Sequence, residues 1–77
     1  MTTDVLRRRL TARRWVAERT GRAERQRCCI TAHELADLLG VCPTTVFNWE
    51  RGRSSPRGVL AERWVETIEN LQQQLAA

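Results

Sequence analysis

Apolar residues recur at intervals of three and four in three stretches of the chain, separated by polar or glycine-containing segments. That spacing predicts three helical stretches. The first runs from about Thr3 or Asp4 to Arg19. Asp4 is placed to cap its start, and Leu6, Leu10 and Ala17 fall on one face, which Trp15 and Val16 widen. Thr20-Gly21 marks its stop. The polar segment from Arg22 to Arg27 reads as a loop or a short extra turn.

The second stretch opens on Thr31-Ala32-His33-Glu34, a capping box in which the Thr31 hydroxyl accepts from the Glu34 amide and the Glu34 carboxylate reaches back. The helix that follows buries Leu35, Ala36 and Leu39 and ends at Gly40. Cys42-Pro43 reads as the cap and first position of another helix, because proline lacks only an N–H that would be unpaired there. Val46 and Trp49, three apart, share the inner side of that helix, which stops at Gly52. The third stretch covers about residues 57–75. Ala61, Trp64, Ile68, Leu71 and Leu75 form a heptad seam, with Glu62, Arg63, Glu66 and Glu69 off it. The seam serves either a dimer contact or the core of a single chain, two heptads being short for a self-sufficient coiled coil.

The fold class expected is all-α: one small helical domain over residues 1–77, with a central helix-turn-helix at 31–52 and a long C-terminal helix. Its core candidates are Leu6, Leu10, Trp15, Ile30, Leu35, Leu39, Val46, Trp49, Leu60, Trp64, Ile68 and Leu71. A 77-residue chain has room for one modest core, and a second copy of itself would add stability, which makes a homodimer an expected partner.

Charge adds a direction. The formal net charge is +4, and all 13 basic residues are arginine, whose planar fork grips phosphate or guanine with two hydrogen bonds. The excess favours a polyanionic partner, although arginine-for-lysine coding bias would give the same composition. The arginines at 7–9 and 13–14 form either a solvated helix face or a DNA contact.

Other chemistry is thin. Cys28, Cys29 and Cys42 lack the spacing of a disulfide framework, and adjacent cysteines chelate zinc poorly, so no metal is expected. His33, in the first turn of a helix, reads as a surface residue. It is the only histidine and has no partner by spacing, so no catalytic group, cofactor or small-molecule substrate is expected, and no enzyme. The first twenty residues resemble no signal peptide, and no run is long enough to cross a bilayer. The expectation is a cytoplasmic, nucleoid-associated protein of bacterial or phage-like type, with reduced thiols and no membrane partner.

A helix-turn-helix needs two short helices that cross steeply and leave one face of the second free. Ala36 provides the small residue of the first helix, Gly40 the positive φ of the turn, and Leu35, Leu39, Val41, Val46 and Trp49 the apolar lock. The residues Ile30-Thr31, Glu34-Leu35-Ala36, Leu39-Gly40-Val41, Thr45-Val46 and Trp49-Glu50-Arg51-Gly52-Arg53, with Pro56, resemble the lambda-repressor-like (Xre/Cro) helix-turn-helix family. The resemblance implies sequence-specific binding to double-stranded DNA, usually as a dimer on a palindromic operator and usually to regulate transcription. Such proteins typically have five helices, with a short one directly before the motif and two short ones after it. Here the loop-like lead-in and the single long tail helix depart from that plan.

Helical geometry then assigns roles. With Val46 and Trp49 inward, Thr44, Phe47 and Asn48 become the candidate base contacts. Asn48 suits an adenine edge, and Thr44 or Phe47 a thymine methyl. Thr31, Pro43, Thr45, Arg51, Arg53 and Arg57 become candidate phosphate or flank contacts. Phe47 is alternatively a core side chain. Trp49 reads as core, and Glu50 as the partner of a local arginine sooner than a contact to cytosine. Two other functions fit parts of the pattern. An excisionase-like recombination directionality factor shares Thr45-Val46-Phe47-Asn48-Trp49 but needs a hairpin wing, which no alternating pattern after Gly52 supports. An antitoxin or adaptor module would use the C-terminal helix to grip a partner protein.

Overall fold

The computed structural model describes residues 2–76. Among them the chain forms five helices in the order α1 (Thr3–Glu18), α2 (Gly21–Arg27), α3 (Ala32–Leu39), α4 (Pro43–Glu50) and α5 (Gly58–Ala76). No strand occurs among the described residues.

The first helix begins two residues earlier than a cap at Asp4 would place it. Thr2 is the N-cap, its hydroxyl accepting from the Val5 amide at 3.2 Å, while Asp4 lies in the first turn, where its charge favours the helix dipole. The helix closes on Arg19, a non-glycine residue in the left-handed conformation at φ 57°. Gly21 is therefore no stop signal. It is the first residue of α2, and a Cβ there would lie 2.7 Å from the Trp64 ring. The absent side chain lets α2 lie against the indole. The segment from Arg22 to Arg27 is thus no loop or isolated turn but part of a seven-residue helix directly before the motif.

The buried face of α1 also differs from the expected one. Ala12 and Trp15 are buried and Val16 packs against them, whereas Leu6 and Leu10 are about half exposed and Ala17 is exposed. The reason is α5. The two helices lie antiparallel and meet through Arg7–Glu69 (3.0 Å), Arg8–Glu66 (3.9 Å) and Arg9–Glu62 (2.8 Å). The arginine run at 7–9 turns towards those glutamates and so turns the leucines outward. The charge of that run is thus taken up within the chain by three glutamates of α5, although Arg7 keeps half of its side chain in water.

Three tryptophans tie the layers together. Trp64 of α5 stands edge-on to Trp15 of α1 (5.3 Å between centroids) and tilted against Trp49 of α4 (5.1 Å). Such pairs contribute about 0.5–1.5 kcal/mol each beyond the area they bury. The seam residues Ala61, Trp64 and Ile68 are buried within their own chain, together with Val65, and Leu71 is partly covered. Ala61, Trp64 and Ile68 complete the core of the single chain, while Leu75, at 59% exposure, lies outside that core. Arg63 of α5 donates to the Leu38 carbonyl (3.2 Å) and Gln72 to the Glu24 carboxylate (2.8 Å), fixing α5 against α3 and α2.

Candidate nucleic-acid interface

The corner between α3 and α4 is built as the residues dictate. Thr31 accepts from the Glu34 amide at 3.1 Å, and the Glu34 carboxylate accepts from the Thr31 amide at 2.9 Å. These hydrogen bonds hold the Glu34 carboxyl below the usual carboxylate range. Thr31 accepts through its hydroxyl oxygen, so its own proton remains available to donate outward from an exposed position. Gly40 ends α3 at φ 72°, a conformation in which a Cβ would be strained even though nothing crowds it. Cys42 is extended, and Pro43 opens α4.

Within α4 the two faces separate cleanly. Val46, Trp49 and Glu50 are buried. Thr44 is exposed, Asn48 is half-buried at the surface, and Arg51 follows one turn later as the exposed C-cap. Positions 44, 48 and 51 recur at four and three, so they share the outward side of the helix. Pro43 and Thr45 flank that side and are half-buried. The backbone beyond α4 turns back on it: the amides of Arg53 and Ser54 donate to the Asn48 carbonyl at 2.9 and 3.4 Å. This leaves Arg53 and Arg57 exposed beside the end of the helix.

Phe47 is half-buried and rests against the core. His33 meets its ring edge-on at 6.4 Å, and the Arg51 guanidinium lies 5.7 Å from its centre. A core contact and a surface edge for Phe47 thus coexist, and a third role joins them: the ring is a platform on which a cation is held.

Glu50 is fixed by a residue of the polar segment before the motif. Arg25 of α2 donates to it twice, Nε to Oε2 at 2.6 Å and a terminal nitrogen to Oε1 at 3.1 Å, and also donates to the Ile30 carbonyl at 3.0 Å. Both side chains are nearly sealed, at 9% and 4% exposure. Hydrogen bonding to Glu50 raises the Arg25 pKa above the ordinary arginine value, against the opposing effect of burial. Glu50 does pair with an arginine, but not with a local one as expected: its partner is 25 positions away on α2, brought in by the packing of α2 against α4. Nothing in residue spacing identifies that partner.

The acids take up particular arginines and leave others. Among the described residues Arg7, Arg8, Arg9, Arg14, Arg25 and Arg27 stand in ion pairs. Arg22 and Arg51, which stand in none of them, flank a cleft of about 250 Å³ beside Phe47 and the Arg25–Glu50 pair. Arg53 and Arg57 are likewise outside those pairs. Positive charge therefore collects around α4 and the loop after it.

The cysteines are free thiols. Burial, with the nearby Glu24 charge, pushes the Cys28 thiol up, which disfavours the reactive thiolate. Among the described residues no three metal-ligating side chains come together, and no helix is long and apolar enough to cross a membrane.

Comparison with known protein families gives a match. The pattern of the Helix-turn-helix family, of the Xre/Cro type, fits residues 22–69, well over half of the chain. The match begins within α2 and leaves α1 outside it. No curated protein and no solved structure gives a match.

Proposed function

Because the chain belongs to the Xre/Cro-type helix-turn-helix family, whose domains bind DNA and are not catalytic, we propose that it is a sequence-specific transcriptional regulator that lays α4 in the major groove. The observation that carries this reading is the division of α4: Val46, Trp49 and Glu50 anchor one side while Thr44, Asn48 and Arg51 share the other. Asn48 pairs with an adenine edge, and Thr44 and the free edge of Phe47 meet neighbouring bases or a thymine methyl. Thr31 donates to a phosphate at the start of α3, where unpaired backbone amides favour an anion. Pro43 and Thr45 pack along the groove wall. Arg51, steadied on Phe47, together with Arg53 and Arg57, neutralises the backbone.

The repressor or Cro role is favoured over the two others by particular features. After Gly52 the chain runs through Arg53–Arg57 into α5, with no hairpin wing among the described residues. The apolar seam of α5 is occupied by its own chain, which leaves little for an adaptor to offer a partner. A two-fold pair on a palindromic operator is the form the family resemblance implies, and its contacts would lie outside the seam.

Selection of bound duplexes from a random pool tests this reading. One enriched motif is expected, and two half-sites centred about 34 Å apart, or a multiple of it, if the protein binds as a symmetric pair. Asn48→Ala should then cost about 1–3 kcal/mol at one base-pair position and leave the others unchanged. Enrichment of no motif, or equal weakening on every sequence, would remove Asn48 and α4 from base reading.

A further inference from the structure

The helix outside the family match, α1, carries charge of two kinds. Its first half is neutralised: Arg7, Arg8 and Arg9 face Glu69, Glu66 and Glu62. Its second half carries Arg13, and Arg19 caps its end; both are exposed and stand in none of the ion pairs among the described residues. These two lie against the loop that follows α4. Arg13 and Arg57, with the buried Pro56, line one cleft of about 300 Å³. At the other end of the loop, Gly52 has φ 73° and a Cβ on it would lie 3.4 Å from both the Arg19 guanidine Nε and the Val16 carbonyl. Those distances are ordinary van der Waals contact, so the loop packs against α1 there, and it is the positive φ that calls for glycine. Arg19 itself holds a left-handed backbone conformation that glycine would adopt without strain.

We propose that the C-terminal half of α1 is a second contact with the DNA backbone, in which Arg13 and Arg19 join Arg53 and Arg57 in a phosphate-binding strip running past the bases met by α4. The ligand class is the phosphodiester backbone of duplex DNA, bound through charge and hydrogen bonds without base preference. This inference rests on the reading of α4 as the groove-binding helix. It assigns to α1 a role that the match at residues 22–69 does not reach.

The experiment measures affinity against salt concentration on two probes, a duplex of about 30 base pairs and arbitrary sequence and a duplex selected by the wild-type protein. Removing one phosphate contact lowers the slope of log K against log salt by about 0.9. Arg13→Gln/Arg19→Gln should therefore lower the slope by about two on both probes, with the same base preference as wild type. Arg13→Lys/Arg19→Lys should retain the slope. Arg14→Gln, which removes an arginine already paired with Glu18, should leave it unchanged. Thermal unfolding of each variant checks the fold, and should the double variant be unfolded, Arg13→Gln alone must lower the slope by about one. A wild-type slope in a folded double variant overturns the strip while leaving base reading by α4 intact, as does a fall in Arg14→Gln equal to that in Arg13→Gln. Absence of duplex binding by the wild-type protein overturns the reading of α4 itself, and the strip with it.

Discussion

Arg7 on α1 and Arg25 on α2 each hold a glutamate by two hydrogen bonds, yet the two pairs sit in different surroundings. The side chains of Arg7 and Glu69 are 50% and 32% exposed, on the flank of the α1–α5 pair. Those of Arg25 and Glu50 are 9% and 4% exposed, behind the α3–α4 corner. Water screens the first pair, so it contributes little to stability while helping to set which face of α1 turns inward. The second pair is shielded, and the removal of either partner leaves a buried charge without compensation. The comparison shows that counting arginines says little about where this molecule is basic or stable. The acid opposite each arginine, and the water around it, decide both.

The largest expected effect breaks the buried pair. Arg25→Met should destabilise the domain by about 3–5 kcal/mol in chemical denaturation, a large part of the roughly 4–12 kcal/mol expected for a domain of this size. Replacing Glu50 by Leu as well should restore most of that stability, because no isolated charge then remains. A double variant as unstable as the single one would show that shape, and not charge, is at stake. A smaller destabilisation, about 1–3 kcal/mol, is expected for Gly21→Ala, which drives a methyl group into the Trp64 ring; a neutral result would mean the indole can move aside. Glu69→Gln, in the exposed pair, should change stability by no more than about 1 kcal/mol. An effect close to that of Arg25→Met would erase the contrast between the two regions.

Much of this is legible in the chain. The capping box at Thr31, the turn at Gly40, Pro43 at the start of α4 and the inward pair Val46 and Trp49 are local, and local chemistry is what a sequence displays. The inner face of α1 is not legible, because it is chosen by ion pairs more than fifty residues apart, and Leu6 and Leu10 make a plausible stripe in isolation. Gly21 reads as a helix stop by rule, but its reason is Trp64, which only folding brings near. Arg25 lies in a polar, mixed-charge segment that gives no hint of burial. Val65 was within reach, since a helix packed inside a domain buries a wider stripe than a strict heptad seam. For the interface, the spacing of Thr44, Asn48 and Arg51 is sufficient to group them on one side of α4. The hold of Phe47 on Arg51, and the place of Arg22 beside them, emerge only in three dimensions.

The most direct test of the division between the two regions is a titration of isotope-labelled protein with a selected duplex, followed by the backbone amide signals and the Asn48 side-chain amide. The largest changes are expected at Thr31, at Thr44 to Asn48 including that carboxamide, and at Arg51 to Arg57, with Arg7 to Leu10 and the middle of α5 nearly unmoved. Changes concentrated on Leu6, Leu10 and α5, with the Asn48 carboxamide silent, would contradict it.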